Sequence, residues 1–365
     1  MAKVGRTLEQ LAQEITRRSE VKKDFIAPAS RLAMQVIDAV PALVLQGSDQ
    51  APMELQEIAH SQVAEYAGIP MAYYRRMLGE APELLAGNVN RWLGDKGQER
   101  RMVRSLDGRA RAVLSDSYRA LENEDLAEVI LPVLLDQNLL IISCEITESR
   151  MYIKAVDRSI ERDVPVGKKM GDASHSFFDT LSPAITISNS EVGHGSLAIE
   201  TGVYTRACTN LAMFGSNMRK YHTGKRAELS DDVYALLTDD TKRATDKAVW
   251  MQVRDLVKSA FDLARFDATI AKLGAAGADI IPADDVVEVV KRASRSFSLT
   301  EGEQKGILGR LIEGGNLSRY GLHSAITRYS QDEVVAYDRA TTLERLGGQV
   351  IELPRNDWER LVIAA

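Results

Sequence analysis

Along residues 6 to 93 apolar positions recur at three- and four-residue steps: Leu8, Leu11 and Ile15, then Leu32, Met34, Val36, Ile37 and Val40, with Pro28 and Pro41 as interruptions. One face of a helix returns about every 3.6 residues, so this spacing predicts amphipathic helices. Within them, LQEIAHSQVAEYAGIPMAYYRRML has the outline of a helix-turn-helix over 55 to 78. Ala59 and Ala64 are small, Gly68 suits the turn, and Pro70 suits a first helical turn. Tyr73, Tyr74, Arg75 and Arg76 fall on its second helix; a plain helical hairpin with packed tyrosines fits the same residues.

From about 100 to 206 the period changes to two. Strands are expected near 102 to 105, 109 to 115, 139 to 147, 150 to 157, 184 to 190 and 196 to 206. A helix near 122 to 136 interrupts them, with Asn123, Glu124 and Asp125 as capping and first-turn residues ahead of Leu126, Val129, Ile130 and Val133. The charged, Gly-containing stretch 158 to 180 shows no period and reads as a long loop. Helix is expected again over 207 to 221, with Cys208, Leu211, Ala212 and Met218 as its apolar stripe, and in a series through 345. A short extended piece, GGQVIELP, closes the pattern. The expected fold is α+β: a central antiparallel-rich sheet with packed helices over 96 to 228, flanked by helical regions at 1 to 95 and 229 to 365.

At 365 residues and 45% hydrophobic content the chain can bury more than one core. Cys144 and Cys208 have neither metal-binding spacing nor a disulfide framework, which fits a reducing cytoplasm rather than secretion. No apolar run approaches the roughly 18 to 20 residues of a membrane helix, and the first residues build no signal-peptide core, so neither membrane insertion nor export is expected. The net charge of −6 argues against a uniformly basic surface but leaves room for a local cationic patch.

Such patches are where chemistry is expected. Strand alternation puts Arg109 and Arg111 on one face, and Arg150, Tyr152 and Lys154 together against Met151, Ile153 and Ala155. Cations interleaved with a ring suit single-stranded nucleic acid, whose phosphates take the charge while bases stack; a solvated outer sheet face accounts for them equally. Between Glu200 and Glu228 there is no acid, but there are Arg206, Arg219, Lys220, His222, Lys225 and Arg226. Arg219 and Lys220 would also complement a helix C-terminus. The turn YHTGKR, with Thr223, offers donors to a phosphate without being a Walker loop.

His60, His175, His194, His222 and His323 are scattered, so no metal site or cofactor is expected. Asp116, Asp172, Asp179 and Glu191 could gather round a hard cation only if the fold unites them. Hydrolase, dehydrogenase and kinase signatures are missing.

Three stretches, ARAVLSDSYRALENEDL at 110 to 126, ITISNSEVGHGSLAIETGVYTRACTNLAMFGSNMRKYHTGK at 185 to 225, and LSRYGLHSAITRYSQD through LERLGGQVIELP, resemble the phage- and plasmid-encoded family catalogued as domain of unknown function 932. The middle block is the most specific, with Asn189, Ser190, Glu191 and Gly193, then Cys208, Thr209 and Asn210, then His222, Thr223 and Gly224. The resemblance covers roughly 100 to 354. It implies a mobile-element protein whose α+β core is similar in outline to ring-forming single-strand annealing proteins.

The expectation is therefore a non-enzymatic, homo-oligomeric protein binding DNA, single-stranded ahead of duplex, through Arg109, Arg111, Arg150, Tyr152, Lys154 and the 206 to 226 cations. Two other readings stay open. One is a metal- or phosphate-dependent nucleic-acid or nucleotide enzyme using 189 to 194 and 222 to 226, with Glu191 and His194 or His222 as acid and base. The other is a self-assembling phage structural or interaction protein.

Overall fold

The computed structural model describes residues 3, 5–119, 121–169, 172–206, 209–215, 218–220 and 239–363. Its α+β architecture is built on antiparallel sheets. The first helix, α1 (Leu8–Val21), starts at a capping box in which Thr7 and Gln10 bond reciprocally, and it buries Leu11 and Ile15. Strand β1 (Lys23–Pro28) follows, then the hairpin β2 (Leu32–Ile37) and β3 (Val40–Leu45), and the short β4 (Met53–Glu54). Helices α2 (Glu57–Ala67), α3 (Met71–Glu80) and α4 (Pro82–Asp95) complete the N-terminal region.

The helical expectation is thus overturned between 23 and 54. Leu32, Met34 and Val36 fit a two-residue period as well as a helical one. The decision falls to Asp38 and Ala39, whose φ values of 50 and 66° make the tight turn that pairs β2 with β3. The expected helical pair at 55 to 78 does form, with Gly68 left-handed at the end of α2.

Strands β5 (Arg100–Leu106) and β6 (Arg109–Ser115) pair with β1 rather than with the central sheet. Ala27, Val103, Ala110 and Val113 share one core with α2, α3, α4 and the β2–β3 hairpin. After α5 (Asn123–Asp136) the chain enters the large sheet: β7 (Leu140–Ile146), β8 (Met151–Val156), β9 (Arg162–Lys169), β10 (Asp172–Asn189), β11 (Leu197–Thr205), β12 (Asn210–Met213) and β13 (Met218–Lys220). The path runs β12-β11-β10-β8-β7, with β13 on β11 and β9 on β10.

Two more expectations are corrected here. Residues 162–169 and 172–181 are paired strands rather than a loop; Val164 and Val166 do alternate inward, but the charged residues around them hide the period. Residues 210–213 and 218–220 are strands, not a helix. All four residues of β12 are buried, and a strand covered on both faces loses the alternation that would identify it.

Seven α-helices are described over 239–363: α6 (Asp239–Ser259), α7 (Leu263–Ala276), α8 (Val286–Ser296), α9 (Glu301–Gly314), α10 (Arg319–Tyr329), α11 (Tyr337–Glu352) and α12 (Arg355–Val362). The large sheet lies between two helical layers. Ile153, Ile185, Ile187 and Ile199 face α1, α5 and α6, while α10 and α11 pack on the opposite side at β12. The segment GGQVIELP, expected to be extended, belongs mostly to α11. Its glycines serve close packing: a Cβ on Gly348 would lie 1.8 Å from the Met213 carbonyl oxygen, so only glycine lets the helix backbone rest on β12. Among the described residues no helix is long and apolar enough to cross a membrane.

Candidate functional site

The strand cations expected on an open sheet face are largely inside the protein, where Arg111 and Lys154 each face a carboxylate. Arg109 and Arg111 do not share a face. Arg104 lies opposite Ala112 and Ser105 opposite Ala110, so Arg111 is the extra residue of a bulge, and the two-residue parity breaks there. Arg109 is half exposed and 3.5 Å from Glu54. Arg111 is buried, with Nη1 donating to Glu191 Oε2 at 2.8 Å.

Around that contact the fold assembles a charge cluster joining the N-terminal region to the central sheet. Arg104, fully buried, donates to Asp24 at 3.0 Å, to Glu122 at 2.6 Å and to the Glu191 carbonyl at 2.8 Å. Lys22 pairs with Glu122 at 2.8 Å, and the Asn123 backbone N–H donates to Glu191 Oε1 at 2.8 Å. Burial raises the Glu122 pKa, reinforced by the neighbouring Glu191 charge. Burial pushes Glu191 the same way, but Arg111, the hydrogen bond with Glu122 and the Asn123 N–H outweigh it and hold Glu191 at about 2. Of the two carboxyl groups, Glu191 is the one held ionised and Glu122 the one whose charge is disfavoured. Sequence reasoning missed Arg104, Asp24, Lys22 and Glu122 as a group, because a lone strand arginine gives no sign of partners so far along the chain.

Glu191 is carried by the β10–β11 loop, and its neighbours hold that loop in place. Asn189 donates to the Leu121 carbonyl, Ser190 to the Ser149 carbonyl, and Gln62 to the Val192 carbonyl. Gly195, at φ +124°, leaves room for Arg150; a Cβ there would lie 2.0 Å from the guanidinium. Arg150 donates to Ser188 Oγ at 3.0 Å and to the Ser196 carbonyl at 2.7 Å, and has no acidic ion-pair partner among the described residues. Burial lowers its pKa.

On the face turned towards α11, Tyr152 and Lys154 are 1% and 2% exposed, so the expected open groove is closed. Lys154 Nζ lies 2.7 Å from Glu344 Oε2 of α11. Its pKa is lowered by burial, against the opposing pull of Glu344. One row of cross-strand neighbours runs Ser143, Lys154, Thr186, Glu200. At its far end Arg345 grips the Glu200 carboxylate at 2.6 to 2.9 Å. Asp338, at the start of α11, accepts from Ser149 Oγ at 2.6 Å and Thr147 Oγ1 at 3.1 Å.

Arg206 is exposed and pairs with Glu161 at 3.2 Å. Arg219 and Lys220 sit on β13 rather than in a last helical turn, and their side chains, with all of His222, Thr223, Lys225 and Arg226, lie outside the described residues. Glu191 and His194 point to different surroundings: both Glu191 oxygens are engaged inside, whereas His194 is exposed on the loop. Asp179 faces no cation site; it accepts the Tyr320 hydroxyl at 2.5 Å, and burial raises its pKa. Among the described residues no group of three or more His, Cys, Asp or Glu is placed to hold a metal ion. The Cys144 thiol, pushed up to about 11 by burial, is unreactive at neutral pH.

Exposed rings and cations occur instead on the N-terminal helices and just after them. Tyr73 on α3 is 47% exposed and Trp92 on α4 is 46% exposed. Arg75, Arg76 and Arg91 are exposed on the same two helices, each with one acidic neighbour. Lys96 and Arg100 follow α4, exposed and without acidic partners among the described residues. Lys96 Nζ lies 5.2 Å from the Tyr66 ring centroid, and the Arg101 guanidinium lies 3.6 Å from it. The sequence signal was present in Trp92, Lys96, Arg100 and Arg101, but it sits at a helix-to-strand junction where no single period displays it. Compared with known proteins, the chain matches no family model, no curated protein and no solved structure.

Proposed function

We propose that the protein binds single-stranded nucleic acid without cleaving it, and that the contact surface is the N-terminal helical face rather than the central sheet. The observation that carries this reading is that α3, α4 and the junction after α4 carry exposed rings, Tyr73 and Trp92, and exposed cations, Lys96 and Arg100, without acidic partners among the described residues. Rings offer a stacking surface to any base, and cations release counterions from phosphates, so the combination holds a strand without reading its sequence. Annealing of complementary strands by a homo-oligomer, as the family resemblance implies, is the activity such binding would serve; it needs no catalytic base.

Fluorescence anisotropy with single- and double-stranded oligonucleotides across a salt series tests the reading. Lys96→Ala with Arg100→Ala should weaken binding of all single strands alike and flatten the salt slope by about 0.7 for each phosphate that is no longer neutralised. Trp92→Ala should cost about 1–3 kcal/mol if a base stacks there. Undiminished binding in both variants, or a preference for duplex, rules the surface out.

A further inference from the structure

The sheet face beneath α11 is polar where a helix packed on a sheet ordinarily meets apolar side chains. On β8, Met151, Ile153 and Ala155 enter the isoleucine core, whereas Tyr152 and Lys154 point under α11. The helix answers with two acids and one base: Glu344 on Lys154, Asp338 on the Thr147 and Ser149 hydroxyls, and Arg345 on Glu200 at the far end of the row. Among the described residues the Thr186 hydroxyl, at the centre of the row, is buried without a partner, and so is Nε of Arg150. Arg150 lies 5.9 Å from the Tyr152 ring.

Arg150, Tyr152 and Lys154 span about 13 Å along the strand, and Asp338 and Glu344 span about 9 Å along the helix. The carboxylates supply to Lys154 and the hydroxyls what the oxygens of successive phosphates would supply. Buried ion pairs contribute little net stability compared with apolar packing, and interfaces between units that separate are more polar than a core. We propose that this face is a second polyanion-binding surface, and that α11 covers it as an internal competitor whose Asp338 and Glu344 stand in for phosphates. The inference takes from the proposed function only that the ligand is a nucleic-acid strand.

The test uses the full chain, with oligo-dT as probe and hydrogen–deuterium exchange as the local readout. Asp338→Asn with Glu344→Gln keeps the shape and one acceptor oxygen of each side chain while removing the competing charge. It should bind oligo-dT about tenfold more tightly than the wild type, with faster exchange over 337–352 and slower exchange over 151–156 once the strand is added. Lys154→Met with Glu344→Leu replaces the ionic contact by an apolar one. It should keep the wild-type affinity with α11 protected. If the charge-removed variant binds no more tightly than wild type and α11 does not respond to the strand, the covered face is refuted. Loss of wild-type binding in the Lys96 and Arg100 variants would leave the proposed function standing in that event. Enhanced binding that survives those two substitutions would separate the covered face from the exposed one and support it.

Discussion

Replacing Lys154 by Met should destabilise the protein far more than replacing Lys154 and Glu344 together. The two charges lie 2.7 Å apart and each side chain is 2% exposed. At an effective dielectric constant of about 20 their attraction is about 6 kcal/mol. Removing both ions from water costs several kcal/mol apiece, so the intact pair adds little net stability. Deleting one partner keeps the desolvation cost of the other and forfeits the attraction. Lys154→Met should therefore cost about 3–5 kcal/mol, reduced somewhat because Gln331 also donates to Glu344 at 3.3 Å. Lys154→Met with Glu344→Leu should be neutral or stabilising. Urea unfolding followed by tryptophan fluorescence measures this, since Trp358 is buried in the C-terminal helical core that includes α11 residues Ala340 and Leu343. A single variant within about 1 kcal/mol of wild type, or a double variant as unstable as the single, would falsify the account.

Acidification should destabilise the fold from just below neutrality. Burial lowers the pKa of His323 from 6.5 to about 4, only partly opposed by its bond to the Gly347 carbonyl. A depressed histidine contributes stability that is fully present above its unfolded pKa and is lost as pH falls from 6.5 through 4, here about 3 kcal/mol. His60, lowered by burial, acts in the same direction, and Glu191 extends the loss between 4.5 and about 2, whereas Glu122, raised by burial, opposes it. Melting temperatures across this range should fall less steeply in His323→Gln; an identical slope would show that His323 is not responsible. Arg109→Ala should leave stability within about 0.5 kcal/mol, because its pair with Glu54 is half exposed. Arg111→Met strands the Glu191 carboxylate and should cost about 3 kcal/mol or more, a contrast that equal effects of the two substitutions would erase.

Apart from the paired strands at 162–169 and 172–181, the strands and the helix between 100 and 206 were legible because apolar residues alternate with different ones, as Met151, Ile153 and Ala155 do with Tyr152 and Lys154 in β8. Legibility failed where tertiary contact replaced periodicity. Leu32, Met34 and Val36 satisfy two periods, and only the turn at Asp38 and Ala39 decides between them. Strand β12 is buried on both faces, and the two glycines of α11 look like breakers until Met213 is seen against Gly348. The cations followed the same logic. Alternation grouped Tyr152 with Lys154, but it carries no information on what covers a face, and it fails outright at Arg111, where one extra residue shifts the parity. Glu344 and Glu191, the carboxylates that neutralise Lys154 and Arg111, lie 190 and 80 residues away in the chain.

That separation gives the block at 189 to 196 its significance. Its residues face two ways: Glu191 reaches the arginines of β5 and β6, and Gly195 admits Arg150, which follows the Thr147 and Ser149 hydroxyls bonded to Asp338 of α11. A short loop therefore lies between the charge cluster that holds the N-terminal region and the polar seam that holds α11. A loop needed only to join β10 to β11 would not require two left-handed glycines, at Gly193 and Gly195, or a buried carboxylate. The Arg104 bond to the Glu191 carbonyl belongs to the charge cluster and the Arg150 bond to the Ser196 carbonyl to the polar seam, so a shift of residues 190 to 196 would disturb both at once, the loop being their direct covalent link.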